Sequence, residues 1–310
     1  MSRADLRGLN GILLLDKSVG MTSNSALQKA RYLLRARKAG HTGSLDPIAS
    51  GLLPICLGEA TKLSGFLLNT DKRYRVRVRL GTVTETGDTE GTVVETRPVP
   101  VLTEALIETV LARFRGEILQ IPPMYSALKH RGRRLYDLAR QGVEVEREAR
   151  PVVIYSLELE SFGGEALELD VHCSKGTYIR SLAEDLGSAL GCGGHVEALR
   201  RTAVGNLDVG AAYTLETLQS LSEPERLPCL LPMDRIVADL PQVELNDELG
   251  FFIRKGQPVL VPKAPAKGWV RLYGRHSAFM GIGEVLDDGR VAPRRLLARP
   301  AAADASRGTD

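Results

Sequence analysis

The sequence predicts an α+β fold, with strands and amphipathic helices intermingled over roughly the first 240 residues and a smaller β-rich module after them. Three patterns lead there. Lys72 to Leu80 alternates strictly, Tyr74, Val76, Val78 and Leu80 facing one way and Arg73, Arg75, Arg77 and Arg79 the other, as in a half-buried strand. Ile179, Leu182, Ala183, Leu186 and Leu190 recur at helical spacing after Lys175-Gly176-Thr177. Beyond Val243, short apolar runs (Val270 to Tyr273, Phe279 to Val285, Leu296-Leu297) are separated by turn chemistry such as Asp288-Gly289.

Taken in order, Gly11 to Leu15 is a short buried strand ended by the Asp16-Lys17-Ser18-Val19-Gly20 loop. A helix capped by Ser23 or Asn24 follows, with Leu27, Ala30 and Leu34 on its apolar face and Arg31, Arg35 and Lys38 on another. Gly40 to Pro47 has too many glycines for regular structure and is expected to be a shaped loop, its proline favouring an extended backbone at Asp46. Leu52 to Leu57 reads as a strand, Glu59 to Leu68 as a short helix, Glu85 to Gly91 as a turn before a strand at Val93-Val94, and Thr103 to Phe114 as a helix capped by Thr103. Residues 120–150 carry Pro122-Pro123, two tyrosines and the basic side chains Lys129, Arg131, Arg133, Arg134, Arg140, Arg147 and Arg150, which suggests an inserted, exposed arm. Val152 to Leu159 and Leu167 to Cys173 alternate like strands. Prolines and an aspartate between Leu231 and Pro241 mark the boundary between a unit of residues 1–240 and one of residues 241–300, and 301–310 is expected to be a disordered tail.

The 310 residues carry 41 Lys and Arg against 38 Asp and Glu, a net charge of only +3, so attraction to nucleic acid must come from clustered rather than total charge. Three such clusters exist: the 72–80 strand, the Arg31-to-Lys38 helix face and the arm, where tyrosines are interleaved. The apolar run Ile12 to Leu15 is too short for a signal-peptide core, and no stretch approaches the roughly eighteen apolar residues of a membrane span. Cys56, Cys173, Cys192 and Cys229 show no Cys-x-x-Cys pairing. A cytoplasmic protein with reduced thiols is expected.

Several side chains are candidates for chemistry. Asp46-Pro47 alone is a common turn dipeptide, but glycines at 40, 43 and 51 allow close approach of a bulky ligand, and His41 lies in the same loop. Arg180 falls in the first turn of its helix, where a cation is disfavoured, and calls for an anion. Glu184, one turn on, and Asp46, from a distant segment, are equally eligible. Tyr74 fits a core tyrosine, with base stacking as the alternative. His172-Cys173 with Cys192 and His195 lacks the spacing of a zinc site, so no metal is expected. His41, Ser44 and Asp46 crowd one loop without a nucleophile elbow, and neither a dinucleotide fingerprint nor a phosphate loop is present.

The run Gly40-His41-Thr42-Gly43-Ser44-Leu45-Asp46-Pro47-Ile48-Ala49-Ser50-Gly51 resembles the signature loop of the TruB family of tRNA pseudouridine-55 synthases. Leu15-Asp16-Lys17 with Gly20, Asp71-Lys72-Arg73-Tyr74, Pro122 to Lys129 and Cys173 to Arg180 are similar to further family motifs in the same order. Gly281 to Glu284 and Arg290 to Arg295 look like the PUA-type RNA-binding domain of bacterial members. Ser18 departs from the family's usual proline after Lys17, and Glu85 from a frequent aspartate.

The resemblance implies isomerisation of one uridine in the T stem-loop of tRNA: glycosidic cleavage, rotation of the base and re-attachment through carbon 5, without a cofactor. It implies a mixed, largely antiparallel sheet flanked by helices, with an RNA-gripping insertion. Asp46 would be the essential carboxylate, Arg180 its partner, and Tyr74 a stacking residue with a part in proton transfer. Leu199 would wall the pocket, His41 would fill the space left by the extruded base, and Tyr178, Lys17 and Lys129 would contact substrate. A stand-alone monomer needing no guide RNA is expected.

Overall fold

The computed structural model describes residues 8–298, so the tail expected at 301–310 lies outside the described residues. The long strands are β1 (Gly11–Lys17), β2 (Ala49–Leu57), β3 (Lys72–Leu80), β4 (Gly116–Gln120), β5 (Arg150–Gly163), β6 (Ala166–Cys173) and β7 (Gly194–Val204). With the two-residue strand Leu230–Leu231 at one edge, they form one sheet in the order 230–231, β1, β2, β7, β3, β6, β5, β4. Ala39–His41 pairs additionally with β2, and Leu207–Asp208 with β7. Every pairing is antiparallel except that of β2 with β7, where Leu199 lies opposite Ala49 and Arg201 opposite Gly51. The sheet is therefore mixed and largely antiparallel.

Helices α1 (Ser23–Leu33), α2 (Glu104–Ala112) and α3 (Ile179–Ala189) supply apolar side chains to one face. There Ala26, Leu27, Ile107, Leu182 and Leu186 join Leu13, Leu15, Val76 and Val78. The other face of β1 is covered too: Ile12 and Leu14 enter a second cluster with Leu52, Cys56, Ile236 and Ile282. Burial on both faces is why β1 reads as a continuous apolar run rather than an alternating one. By contrast, β3 alternates because its second face is polar, and three of its four arginines there are paired. Arg77 bonds Glu168 at 2.7 Å and also Glu197, Arg79 meets Glu165 at 2.9 Å, and Arg73 lies 3.8 Å from Asp170. These arginines were expected to form part of a basic cluster; carboxylates of the flanking strands and of the β5–β6 turn neutralise three of the four, on the face away from Tyr74.

A five-stranded sheet follows, in the order Gln242–Glu244, Gly268–Gly274, Ala278–Val285, Arg290–Leu296, Val259–Leu260, with an Asn246-capped helix Asp247–Arg254 that the sequence reading omitted. It packs on the larger unit through Ile282, the edge-on ring pair Phe66 and Trp269 at 5.6 Å, and a 2.8 Å bond donated by the Tyr273 hydroxyl to Asp234.

Other expectations need correcting. The cap of α1 is Thr22, whose hydroxyl accepts from the Ser25 amide; Ser23 is instead buried in the first turn. The helix expected at 59–68 is a 3-10 turn (Gly58–Lys62) and a short α-helix (Ser64–Leu68). Gly40 and His41 belong to a short strand, so the shaped loop begins at Thr42. The central strand β7 was not foreseen at all. Irregularities between Val196 and Ala198 and between Arg201 and Ala203 interrupt its two-residue period, and Glu197, Arg200 and Arg201 break its apolar pattern.

Gly51 fixes how closely β2 and β7 approach. Its φ is +100°, and a Cβ there would lie 2.2 Å from the Arg201 carbonyl oxygen. Gly51→Ala is expected to cost about 2–4 kcal/mol of stability, read as a lowered midpoint in chemical denaturation.

Candidate active site

The loop from Thr42 to Ile48 enters the sheet beside β7 and is held from several sides. Thr42 is buried and donates its amide to the Pro54 carbonyl. The Ser23 hydroxyl donates to Leu45 O at 2.9 Å and accepts from Leu45 N at 2.7 Å, which ties the loop to α1. The Gly20 amide donates to the Pro47 carbonyl at 2.8 Å, and the Ala49 amide closes a turn on the Asp46 carbonyl at 3.0 Å. So pinned, the loop presents Asp46 to a cavity of about 580 Å³.

Arg180, at the start of α3, lies across from it. Its Nε is 3.0 Å from Asp46 Oδ2, which resolves the sequence ambiguity: the partner is the distant aspartate, not Glu184. The rest of the guanidinium is fixed by the Thr86 carbonyl at 2.9 Å, the Tyr125 carbonyl at 2.7 Å and Asp88 Oδ2 at 3.7 Å. Asp88 is itself buried and accepts from the Glu90 amide. The sequence reading passed over it as turn chemistry.

Asp46 lies deep among protein groups, yet 42% of its side-chain surface remains open toward the cavity. Burial raises its pKa above the ordinary carboxylate value, Arg180 opposes that rise, and Asp88 adds to it. Tyr74 is buried on β3 and lines the same cavity with Leu199 and Tyr178. Burial raises the pKa of the Tyr74 phenol, and the neighbouring Arg201 lowers it. Tyr178 precedes α3, and its backbone is clamped by the Gln120 side chain, which accepts from its amide at 2.7 Å and donates to its carbonyl at 3.0 Å.

The remaining candidates lie outside the cavity lining. Lys17 is fully enclosed and donates to the carbonyls of Met21 at 2.7 Å and Ser18 at 2.9 Å; burial lowers its pKa to about 8 against the pull of Asp46 and Glu90. His41 is half-buried, and burial followed by Arg201 lowers its pKa. Lys129 is exposed in a short hairpin of the arm with Arg133 and Arg134. From that arm, Arg134, Tyr136 and Arg140 do border the cavity, the two guanidinium carbons lying 5.7 and 5.4 Å from the tyrosine ring centre. The sequence reading did not single out Arg201. It is fully buried on β7 yet reaches the cavity; with Glu197, Arg200 and Thr202 close by, its stretch has no apolar pattern that would mark it as inward-facing. Among the described residues, no group of three His, Cys, Asp or Glu side chains could hold a metal ion.

Comparison with known proteins places this arrangement. Residues 31–179 match the TruB family pseudouridylate synthase N-terminal domain, 180–238 the tRNA pseudouridylate synthase B C-terminal domain, and 241–297 the pseudouridine synthase II TruB C-terminal region. The chain belongs to the TruB family. It is 56% identical over 292 residues to tRNA pseudouridine synthase B of Nitrosococcus oceani, covering 93% of this chain and 95% of that one. Its namesake in Chromobacterium violaceum is 55% identical over 304 residues, covering 97% and 99%. Among solved structures, the TruB-family fold seen here resembles a chain of a Cbf5–Nop10–Gar1 complex, with a TM-score of 0.70 and 28% identity over 90% of this chain and 79% of that one. A chain of an H/ACA ribonucleoprotein bound to a substrate RNA containing 2′-deoxyuridine has a TM-score of 0.70 and 25% identity, covering 93% and 85%.

The raised pKa of Asp46 has a sign. The folded state holds that proton more tightly than the unfolded one, so stability declines as pH rises through the folded pKa and is highest below it. Asp46→Asn, which removes the buried charge at similar volume, should therefore melt a few degrees higher than the unaltered chain at neutral pH. The gain should shrink as pH falls toward the carboxylate range, as calorimetry across pH would register.

Proposed function

We propose that this protein converts the uridine at position 55, in the T-loop of tRNA, to pseudouridine, acting as a stand-alone monomer in the cytoplasm without cofactor or guide RNA. Isomerisation of tRNA uridine is the activity of its TruB-family relatives by name, and at more than half identity over nearly the full length it is the activity of this chain. The observation that carries the assignment of roles is the Asp46 carboxylate, 3.0 Å from Arg180 and open to a cavity backed by Tyr74.

In this reading the target base leaves its stack and enters the cavity, as an enzyme acting on a base within folded RNA requires. Asp46 faces the sugar and attacks C1′ or stabilises the positive charge that develops there as the N1–C1′ bond breaks. Arg180 keeps the carboxylate ionised against burial and fixes its direction, and three further groups around Arg180 prevent it from following the substrate. Tyr74 and Leu199 form the surface against which the uracil turns before C5 replaces N1 at C1′. Tyr178 borders that space. The arm, with Arg134, Tyr136 and Arg140 at the cavity mouth, grips the RNA backbone. His41, Lys17 and Lys129 act from outside the cavity: Lys129 by contact with the stem, Lys17 by supporting the loop beside Asp46, and His41 by filling the stack that the base vacates. The division into a catalytic unit of residues 1–240, with its insertion at 120–150, and a PUA-like RNA-binding unit of residues 241–300 is supported by the separate ten- and five-stranded sheets.

Two measurements test this. Asp46→Asn should abolish tritium release from carbon-5-labelled uridine in a bare T stem-loop transcript, a loss of at least about a thousandfold, while binding of the transcript persists. Turnover by that variant would refute the role of Asp46, and inactivity of the unaltered pure chain would refute the stand-alone reading. The acid limb of the rate-against-pH profile should lie above the ordinary aspartate range of about 4, because only the ionised carboxylate serves and burial delays its ionisation.

A further inference from the structure

Beneath the cavity lies a cation that the chemistry above has not used. Arg201 is 1% exposed, on the central strand β7, and its guanidinium is fixed by two carbonyls: Nε donates to Leu52 O at 2.8 Å and Nη2 to Gly43 O at 3.0 Å. One carbonyl belongs to β2 and the other to the loop that carries Asp46. Among the described residues no carboxylate pairs with Arg201, whereas its neighbour Arg200 points to the opposite face and binds both oxygens of Asp16. A guanidinium buried against two carbonyls, with no carboxylate beside it, places a positive charge in a poorly solvated place. The surroundings register this field: Lys17, His41 and Lys72 all have pKa values lowered by burial and then, to differing degrees, by Arg201.

Arg201 is also the direct cross-strand partner of Tyr74, so the two side chains leave the sheet on the same face, and both line the cavity. The cation therefore stands beside the phenol rather than beside Asp46. The isomerisation has a use for a negative charge at that oxygen. When N1–C1′ breaks, the bonding pair stays on the uracil, and a proton must reach the ring. When C5–C1′ forms, C5 must lose its hydrogen as a proton. A single phenol can serve both steps: the Tyr74 hydroxyl gives its proton to the departing uracil, and the resulting phenolate takes the C5 proton after re-attachment. Tyr74 ends as it began, and the product has gained a proton at N1 and lost one at C5.

We propose that Arg201 is a positioning residue for this proton exchange, holding the Tyr74 oxygen in place and supplying the positive charge that balances its transient phenolate. This deepens the uridine-isomerase reading and rests on it. The carbonyl bonds to Leu52 and Gly43 keep the guanidinium from turning toward bulk solvent. Burial alone would make the phenolate inaccessible; the adjacent uncompensated cation offsets that cost when the charge forms.

A double-mutant cycle tests the proposal. Single-turnover rates and KM for the T stem-loop transcript would be measured for the unaltered chain, Arg201→Lys, Arg201→Gln, Tyr74→Phe and both double variants. The expected result is a fall in rate of roughly tenfold for Arg201→Lys and roughly a hundredfold for Arg201→Gln, with KM within about twofold. On the Tyr74→Phe background neither substitution at 201 should slow the reaction by more than about twofold, because the group through which Arg201 acts is gone. Equal losses on both backgrounds, or a loss confined to KM, would overturn the proposal. So would failure of both 201 variants to give a folded chain by circular dichroism, which would assign Arg201 to the core alone. The rate of the unaltered chain in the same assay reports separately on the isomerase reading.

Discussion

The site depends on a contest over one carboxyl group. Burial favours the neutral acid at position 46, the nearby Asp88 favours it further, and the Arg180 guanidinium at 3.0 Å, with lesser help from Lys17, opposes both. A free arginine side chain could not hold that position against the entropy of its rotamers and the polarity of α3, whose first turn repels a cation. Here the Thr86 and Tyr125 carbonyls and Asp88 fix the guanidinium before any substrate arrives. The surrounding loops thus serve to hold a strained electrostatic arrangement rather than to add contacts of their own.

The same logic shapes the loop that brings the acid. Gly51 at φ +100° lets β2 pass against the backbone of Arg201, and Gly43 at φ +81° turns the loop so that its carbonyl meets the Arg201 guanidinium. With Ser23 bonded twice to Leu45, Asp46 has little freedom to retreat. Rigidity of this kind suits a reaction in which the base must turn while the sugar stays put.

Much of this was legible in the residues. The strict alternation of Lys72 to Leu80 placed Tyr74 on the inner face, and Arg180 in a first turn announced an unmet need for an anion, although spacing alone left Glu184 and Asp46 level. Family motifs decided between them where periodicity could not. The parts that escaped notice are those that local pattern cannot encode. Two irregularities erase the period of β7, and with it the place of Arg201, while Asp88 looks like any turn aspartate until Arg180 arrives from 92 positions further along the chain. The arginines of β3 misled in the opposite sense, because their carboxylate partners sit on strands, and in the β5–β6 turn, that become neighbours only in three dimensions.

The place of β7 in the sheet carries one more consequence. It is the last of the seven long strands in chain order, yet it lies between β2 and β3, and it alone joins the β1–β2 pair to the β3–β6–β5–β4 block. During synthesis, therefore, the nascent polypeptide can form two half-sheets with an open seam, but the two acidic and aromatic halves of the reaction centre stay apart until that final wedge slides in. A ribosome-bound fragment ending before it would carry Asp46, Tyr74 and Arg180 and still be inert, so competence is gained in a single late event.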